Sequence, residues 1–154
     1  MYNITEPVAP PIPLPMAPSI LVPCTRCARC CTYVGVGINP PRNLRFATDV
    51  LWYLYHENVS VYRDGNGEWM VIFQSRCKQL GGDLLCGVYE KRPVVCREFD
   101  NTTCEVNAPG SGQDYTEPAQ FLEWLRVSRP GLYRRLSQKY LPAELTRRAR
   151  KRAL

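Results

Sequence analysis

The chain has 154 residues, among them 14 prolines and eight cysteines, and its formal net charge is +6. This length predicts one domain with a modest hydrophobic core. No run of 18 apolar residues occurs, and prolines interrupt the one apolar stretch near the amino terminus, so we expect neither a membrane-spanning helix nor a secretory signal. A cytoplasmic location follows, where thiols remain reduced and serve as metal ligands or redox groups more often than as disulfides.

The positive charge is concentrated near the carboxyl terminus. From Arg126 onward there are ten basic residues and one acidic residue, whereas the preceding 125 residues carry ten basic and 13 acidic residues. A basic tail could contact nucleic acid or another acidic partner. A solvated terminus explains the same charge, and no aromatic residue follows Tyr140 to stack on bases.

Composition divides the chain into three parts. Residues 1–23 contain seven of the prolines and predict an extended, polyproline-like arm, because proline fixes φ and lacks a backbone donor. Residues 24–142 contain all the cysteines and predict a metal-binding domain. Residues 143–154 form the basic tail.

The sequence of residues 24–142 predicts an α+β fold. A β-prone stretch covers 32–38, and apolar spacing predicts a helix over 48–58 with Thr48 and Asp49 as caps. Two β-branched and aromatic runs, 59–63 and 68–73, flank Asp-Gly-Asn-Gly and predict a hairpin.

The second half of the domain predicts further helices. Pro93 suits the first turn of a short helix over 93–99 that presents Cys96. Helical spacing resumes after Thr116, breaks at Pro130, and continues with apolar residues at every fourth position as far as Tyr140. Hairpin and helices should therefore surround the cysteines.

The cysteines form two groups. The first is the run Cys24-Thr-Arg-Cys27-Ala-Arg-Cys30-Cys31. Two residues between cysteines let both sulfurs face one metal at about 2.3 Å, and repeated steps of this kind also occur in iron–sulfur binding loops. The second group is more widely spaced, and the full set of predicted ligands is Cys24, Cys27, Cys30, Cys31, Cys77, Cys86, Cys96 and Cys104.

The bound group is predicted to be zinc or iron, with an iron–sulfur cluster as one form. Eight thiolates can fill two tetrahedral zinc sites, or one four-iron cluster and another site. A disulfide framework, a thioredoxin-like redox pair and buried structural cysteines are weaker alternatives, because each calls for a different compartment, context or spacing.

The cysteine pattern resembles the YkgJ-like cysteine-cluster family, whose CxxCxxCC domain is described as zinc- or iron-chelating. The resemblance rests on the first run, on Cys77, and on Cys86-Gly-Val-Tyr89-Glu-Lys-Arg92-Pro93-Val-Val-Cys96-Arg97-Glu-Phe99. Ala28 stands where the family pattern has glycine, and Cys104 resembles the last family cysteine. The resemblance implies metal chelation and assigns no reaction. Similar regions occur in flagellin lysine N-methylases.

Three functional hypotheses remain open. The first is a metal-binding module, the second a flagellin-methylase-like or redox enzyme, and the third an adaptor that contacts nucleic acid through its tail. No catalytic residue is identified, and His56, the only histidine, is interpreted as structural. Tyr89 and Phe99 are predicted to be core residues, whereas Arg92 and Pro93 are predicted to support the site, Arg92 by contact with a carbonyl or a sulfur.

Overall fold

The structure is a computed structural model that describes residues 22–100, 102, 104, 106, 107, 110 and 112–141. The predicted arm, apart from its last two residues, and the predicted tail lie outside the described residues. Within them, no helix is both long enough and apolar enough to cross a membrane.

The fold is α+β, as predicted, and its sheet is antiparallel throughout. The strands lie in the order β1-β3-β2-β4, so the central pair is the predicted hairpin. Val71 of β3 lies opposite Val36 on one side and Val61 on the other, and Val61 also lies opposite Tyr115. The strands are β1 (Tyr33–Ile38), β2 (Val59–Arg63), β3 (Trp69–Gln74) and β4 (Gln113–Tyr115).

The hairpin turn is held by the residues that predicted it. One carboxylate oxygen of Asp64 accepts hydrogen bonds from the backbone N–H groups of Asn66 and Glu68, at 2.9 and 2.8 Å. Gly67 has a φ of 87°, a conformation that glycine adopts without strain. The turn chemistry therefore fixes the register of β2 against β3.

Within the described residues, three long helices and two short ones accompany the sheet. The first long helix begins four residues before the predicted position, because the side chain of Asn43 accepts the N–H of Phe46 at 3.0 Å and caps it there. The hydroxyl of Thr48 instead bonds the carbonyl of Arg45. The helices are α1 (Cys24–Cys27), α2 (Leu44–Leu54), α3 (Val94–Arg97), α4 (Pro118–Ser128) and α5 (Pro130–Tyr140).

The hydrophobic core lies between the sheet and the three long helices. The Trp69 ring stacks on Tyr115, with ring centroids 5.5 Å apart, and Phe121 meets both rings edge-on. The buried residues that pack together here are Ala47, Val50, Leu51, Leu54, Val61, Trp69, Tyr115, Phe121, Leu122, Leu125 and Leu136.

None of the seven cysteines whose side chains the structure describes belongs to this core. Among the described side chains of 22–32 and 75–100, the two segments that carry most of the cysteines, only Ala28 and Leu80 are buried. The core and the cysteine region are therefore built from different parts of the chain.

Candidate metal centre

The first cysteine segment folds into two short helical turns that meet at Ala28. α1 ends at Cys27, and a 3₁₀ turn covers Arg29–Cys31. Ala28 has a φ of 51°, in the left-handed region that favours glycine, and its side chain is only 6% exposed. The backbone at this position is left-handed, which explains why the family pattern has glycine there.

The second cysteine segment starts beside Cys31. The N–H of Ser75 donates to the carbonyl of Thr32 at 2.9 Å, and the N–H of Cys77 donates to the carbonyl of Cys31 at 2.7 Å. These bonds continue the pairing of β1 with β3 past the ends of both strands. The strand pairing therefore places Cys31 and Cys77 side by side, although 46 positions separate them in the sequence.

The loop from Cys77 to Cys86 folds back on itself and returns Cys86 towards Cys77. Leu80 donates its N–H to the carbonyl of Cys77 at 3.1 Å and pairs with Cys86 in an isolated antiparallel bridge. The guanidinium group of Arg76 donates to the carbonyls of Leu80 and Gly81, at 3.0 and 2.9 Å. The Arg76 side chain thus stabilises the loop by binding the loop's backbone carbonyls.

Arg92 and Pro93 directly precede the short helix that carries Cys96. The Nε of Arg92 donates to the carbonyl of Tyr89 at 2.9 Å, the kind of contact that the sequence predicted, and its guanidinium carbon lies 3.7 Å from the centroid of the Tyr89 ring. Pro93 is the residue before α3, and its carbonyl accepts the N–H of Cys96 at 3.0 Å. The core assignment of Tyr89 was wrong, because this ring is 47% exposed and supports Arg92.

The thiol of Cys31 lies among those of three other cysteines. Partial burial raises its pKa, a hydrogen bond with the side chain of Cys30 lowers it, and the charges of Cys77, Cys86 and Cys96 raise it again. Cys77, Cys86 and Cys96 are therefore each close enough to Cys31 for their charge to affect its pKa. A divalent cation among them would oppose this effect, since it stabilises thiolates.

A small cavity lies on the other side of the first cysteine segment. Its volume is about 20 Å³, which is enough for one water-sized atom. Phe99 lines it and is 42% exposed, so the prediction that Phe99 belongs to the core was wrong. The other lining residues are Val22, Cys27, Ala28, Arg29, Cys30, Cys104 and Val106.

Asn107 joins the segment after Cys104 to the start of the described chain. Its Oδ1 accepts the N–H of Val22 at 2.8 Å, and its Nδ2 donates to the carbonyl of Val22 at 3.1 Å. The two residues are 85 positions apart, so no local pattern in the sequence could have indicated the pair. This pair helps to place Cys104 near Cys27 and Cys30.

Both cysteine segments fall within one known domain. The family model CxxCxxCC, described as "Putative zinc- or iron-chelating domain", matches residues 23–121. The chain belongs to the CxxCxxCC family. No curated protein and no solved structure matches this chain. Membership supports zinc or iron binding in general terms, and the match includes all eight cysteines.

The donors of this CxxCxxCC domain fit zinc or iron. Thiolates are preferred ligands of both zinc and iron–sulfur clusters. No disulfide joins any of the seven cysteines whose side chains the structure describes. Across the described residues, no three His, Cys, Asp or Glu side chains stand as a group that could hold a metal ion. The thiols must therefore approach one another more closely to bind a metal ion.

His56 is engaged outside the cysteine groups. It follows α2 by two positions, its Nδ1 lies 2.7 Å from the carbonyl of Trp52, and its ring meets the Trp52 ring edge-on. These contacts agree with the structural interpretation.

Proposed function

We propose that this chain is a metal-binding protein that chelates zinc or iron through its clustered cysteines. The observation that carries the proposal is the backbone pairing that brings the two cysteine segments together: the N–H of Cys77 donates to the carbonyl of Cys31 at 2.7 Å, and Cys86 is bridged back to Leu80. The ligands are drawn from the full set named above, and the metal-binding domain covers 24–142.

Neighbouring side chains support this function. Arg76 and Arg92 each donate to backbone carbonyls within the segment that carries Cys77, Cys86 and Cys96, so they help to hold that segment in place. We place the protein in the cytoplasm, where thiols remain reduced and can serve as metal ligands.

Elemental analysis of protein purified without oxygen tests the proposal. We expect zinc or iron in stoichiometric amounts in the full chain, and strong loss of it in the triple variant Cys77→Ser, Cys86→Ser, Cys96→Ser. Ser75→Ala is the matched control, because it changes an exposed side chain next to Cys77 and leaves every thiol in place.

The same samples identify the metal centre. Broad visible absorption with iron and acid-labile sulfide would indicate an iron–sulfur cluster, and a colourless protein with zinc would indicate tetrahedral zinc. A folded wild-type chain free of both metals would refute the proposed function.

A further inference from the structure

Cys30 and Cys31 are neighbours in sequence but face different surroundings. They occupy a 3₁₀ turn, in which three residues complete one turn, so successive side chains diverge by about 120°. The carbonyl of Cys31 accepts the N–H of Cys77 at 2.7 Å, whereas Cys30 lines the small cavity.

The cavity gathers thiols that the first group leaves out. Cys27, Cys30 and Cys104 all line it, and no cysteine after Cys31 other than Cys104 does. Cys24 precedes Cys27 by three positions, the same interval that separates Cys27 from Cys30, and so supplies a fourth thiol by its spacing.

The cavity also has its own means of closure. The two hydrogen bonds between Asn107 and Val22 tie the chain after Cys104 to the chain before α1. Phe99 and Val106 also line the cavity and contribute apolar surface to it. None of these contacts involves Cys77, Cys86 or Cys96.

We propose that the eight cysteines form two separate four-thiolate centres. This inference rests on the proposed function, and it assigns the ligands and the positioning residue of a second centre. Asn107 positions Cys104 in that centre. The centres are Cys31, Cys77, Cys86 and Cys96 on one side, and Cys24, Cys27, Cys30 and Cys104 on the other.

The two centres lie next to each other. Cys30 and Cys31 are consecutive residues of one 3₁₀ turn, so the two sets of thiols adjoin there. A single shared centre is the competing arrangement. It would use four of the thiols and leave the others as bystanders, so the two arrangements differ in metal count and in their response to paired substitutions.

Metal counting on the full chain separates these arrangements. The protein is stripped of metal under reducing conditions and reloaded with Co²⁺, whose visible spectrum reports tetrahedral thiolate ligation. We expect close to two cobalt ions per chain, and close to one in each of two double variants, Cys27→Ser with Cys104→Ser and Cys86→Ser with Cys96→Ser. Circular dichroism checks that the core of each variant remains folded.

Asn107 gives a second test that does not remove a thiol. In the Cys86→Ser, Cys96→Ser background, Asn107→Ala should weaken the remaining cobalt site by about tenfold or more, as expected for a residue that orients ligands. In the Cys27→Ser, Cys104→Ser background, the same substitution should leave cobalt affinity unchanged, which provides the matched control.

Several results would overturn the inference. One cobalt ion in the wild type, or loss of all cobalt from either double variant, would show a single or shared centre while leaving metal binding intact. An equal effect of Asn107→Ala in both backgrounds would remove its assignment to the second centre. A wild-type chain that takes up no cobalt, zinc or iron would overturn the proposed function as well.

Discussion

Removing the metal should unfold the cysteine region and leave the core folded. The perturbation is chelation of the purified, metal-loaded chain under reducing conditions. The affected segments should be 22–32 and 75–100, while the sheet and the helices α2, α4 and α5 keep their structure. This outcome follows from the separation of the core from the cysteines.

The expected magnitude comes from what each region buries. In 75–100 only Leu80 is buried, and Val95 is 74% exposed. Burying one leucine contributes about 1.5–3 kcal/mol, whereas ordering each residue of backbone costs about 1–2 kcal/mol. Structural zinc contributes on the order of 10 kcal/mol. The metal is therefore the largest single source of order in this region, while the core has eleven buried side chains of its own.

Hydrogen exchange followed by mass spectrometry measures both regions at once. Peptides from 75–100 should lose their protection after chelation and approach the rates of an unstructured chain. Peptides from 44–74 and 118–140 should change by less than about tenfold, or about 1.4 kcal/mol. Elemental analysis confirms that the metal has been removed.

Two results would refute this reasoning. Unchanged protection in 75–100 after complete removal of the metal would mean that protein contacts alone order the segment. Equal loss of protection in all peptides would mean that the core cannot fold without the metal, contrary to the burial pattern.

Three further predictions follow from single side chains. Arg92→Lys keeps the charge but loses the planar group over Tyr89, so metal occupancy should fall; wild-type occupancy would contradict a positioning role. Ala28→Gly relieves left-handed strain of about 1–2 kcal/mol. It also loses a buried methyl worth about 0.8 kcal/mol and raises the entropy of the unfolded chain, which costs about 0.4–1 kcal/mol. Urea unfolding should therefore show almost no change, whereas Ala28→Val should destabilise the loaded protein clearly, and equal effects would argue against strain. Burial raises the pKa of Tyr115 to about 12, although the charge of Arg63 lowers it. The folded state thus holds this proton more tightly, and its contribution to stability, complete below pH about 10, should be lost as pH rises towards 12. Tyr115→Phe should remove that pH dependence, and its persistence would point to another group.

Short-range chemistry made part of the structure predictable. Asp64 and Gly67 fix a turn through bonds that span only four residues, so the hairpin followed from the sequence. The expected contact of Arg92 with a carbonyl also spans only three residues. In each case the residues that form the feature are neighbours in the chain.

Long-range contacts account for most of the errors. β4 is three residues long and pairs with a strand 50 positions earlier, so Gln113–Tyr115 shows no pattern of its own. Tyr89 and Phe99 are exposed because distant parts of the described chain do not cover them fully, and the hydrophobicity of a residue alone does not reveal such packing. The start of α2 was predicted wrongly for a local reason, because the side chain of Asn43, and not that of Thr48, accepts the N–H that caps the helix.

The pairing of β1 with β3 limits how the chain length can vary. A single residue inserted inside β1 or β3 would shift the register of the two strands and with it the alignment of Cys31 with Cys77 beyond their ends. The loops at 39–43 and 64–67 lie outside the β1–β3 pairing and could lengthen without separating the two cysteines. The sequence distance between Cys31 and Cys77 can therefore change in the connecting loops but not inside the paired strands.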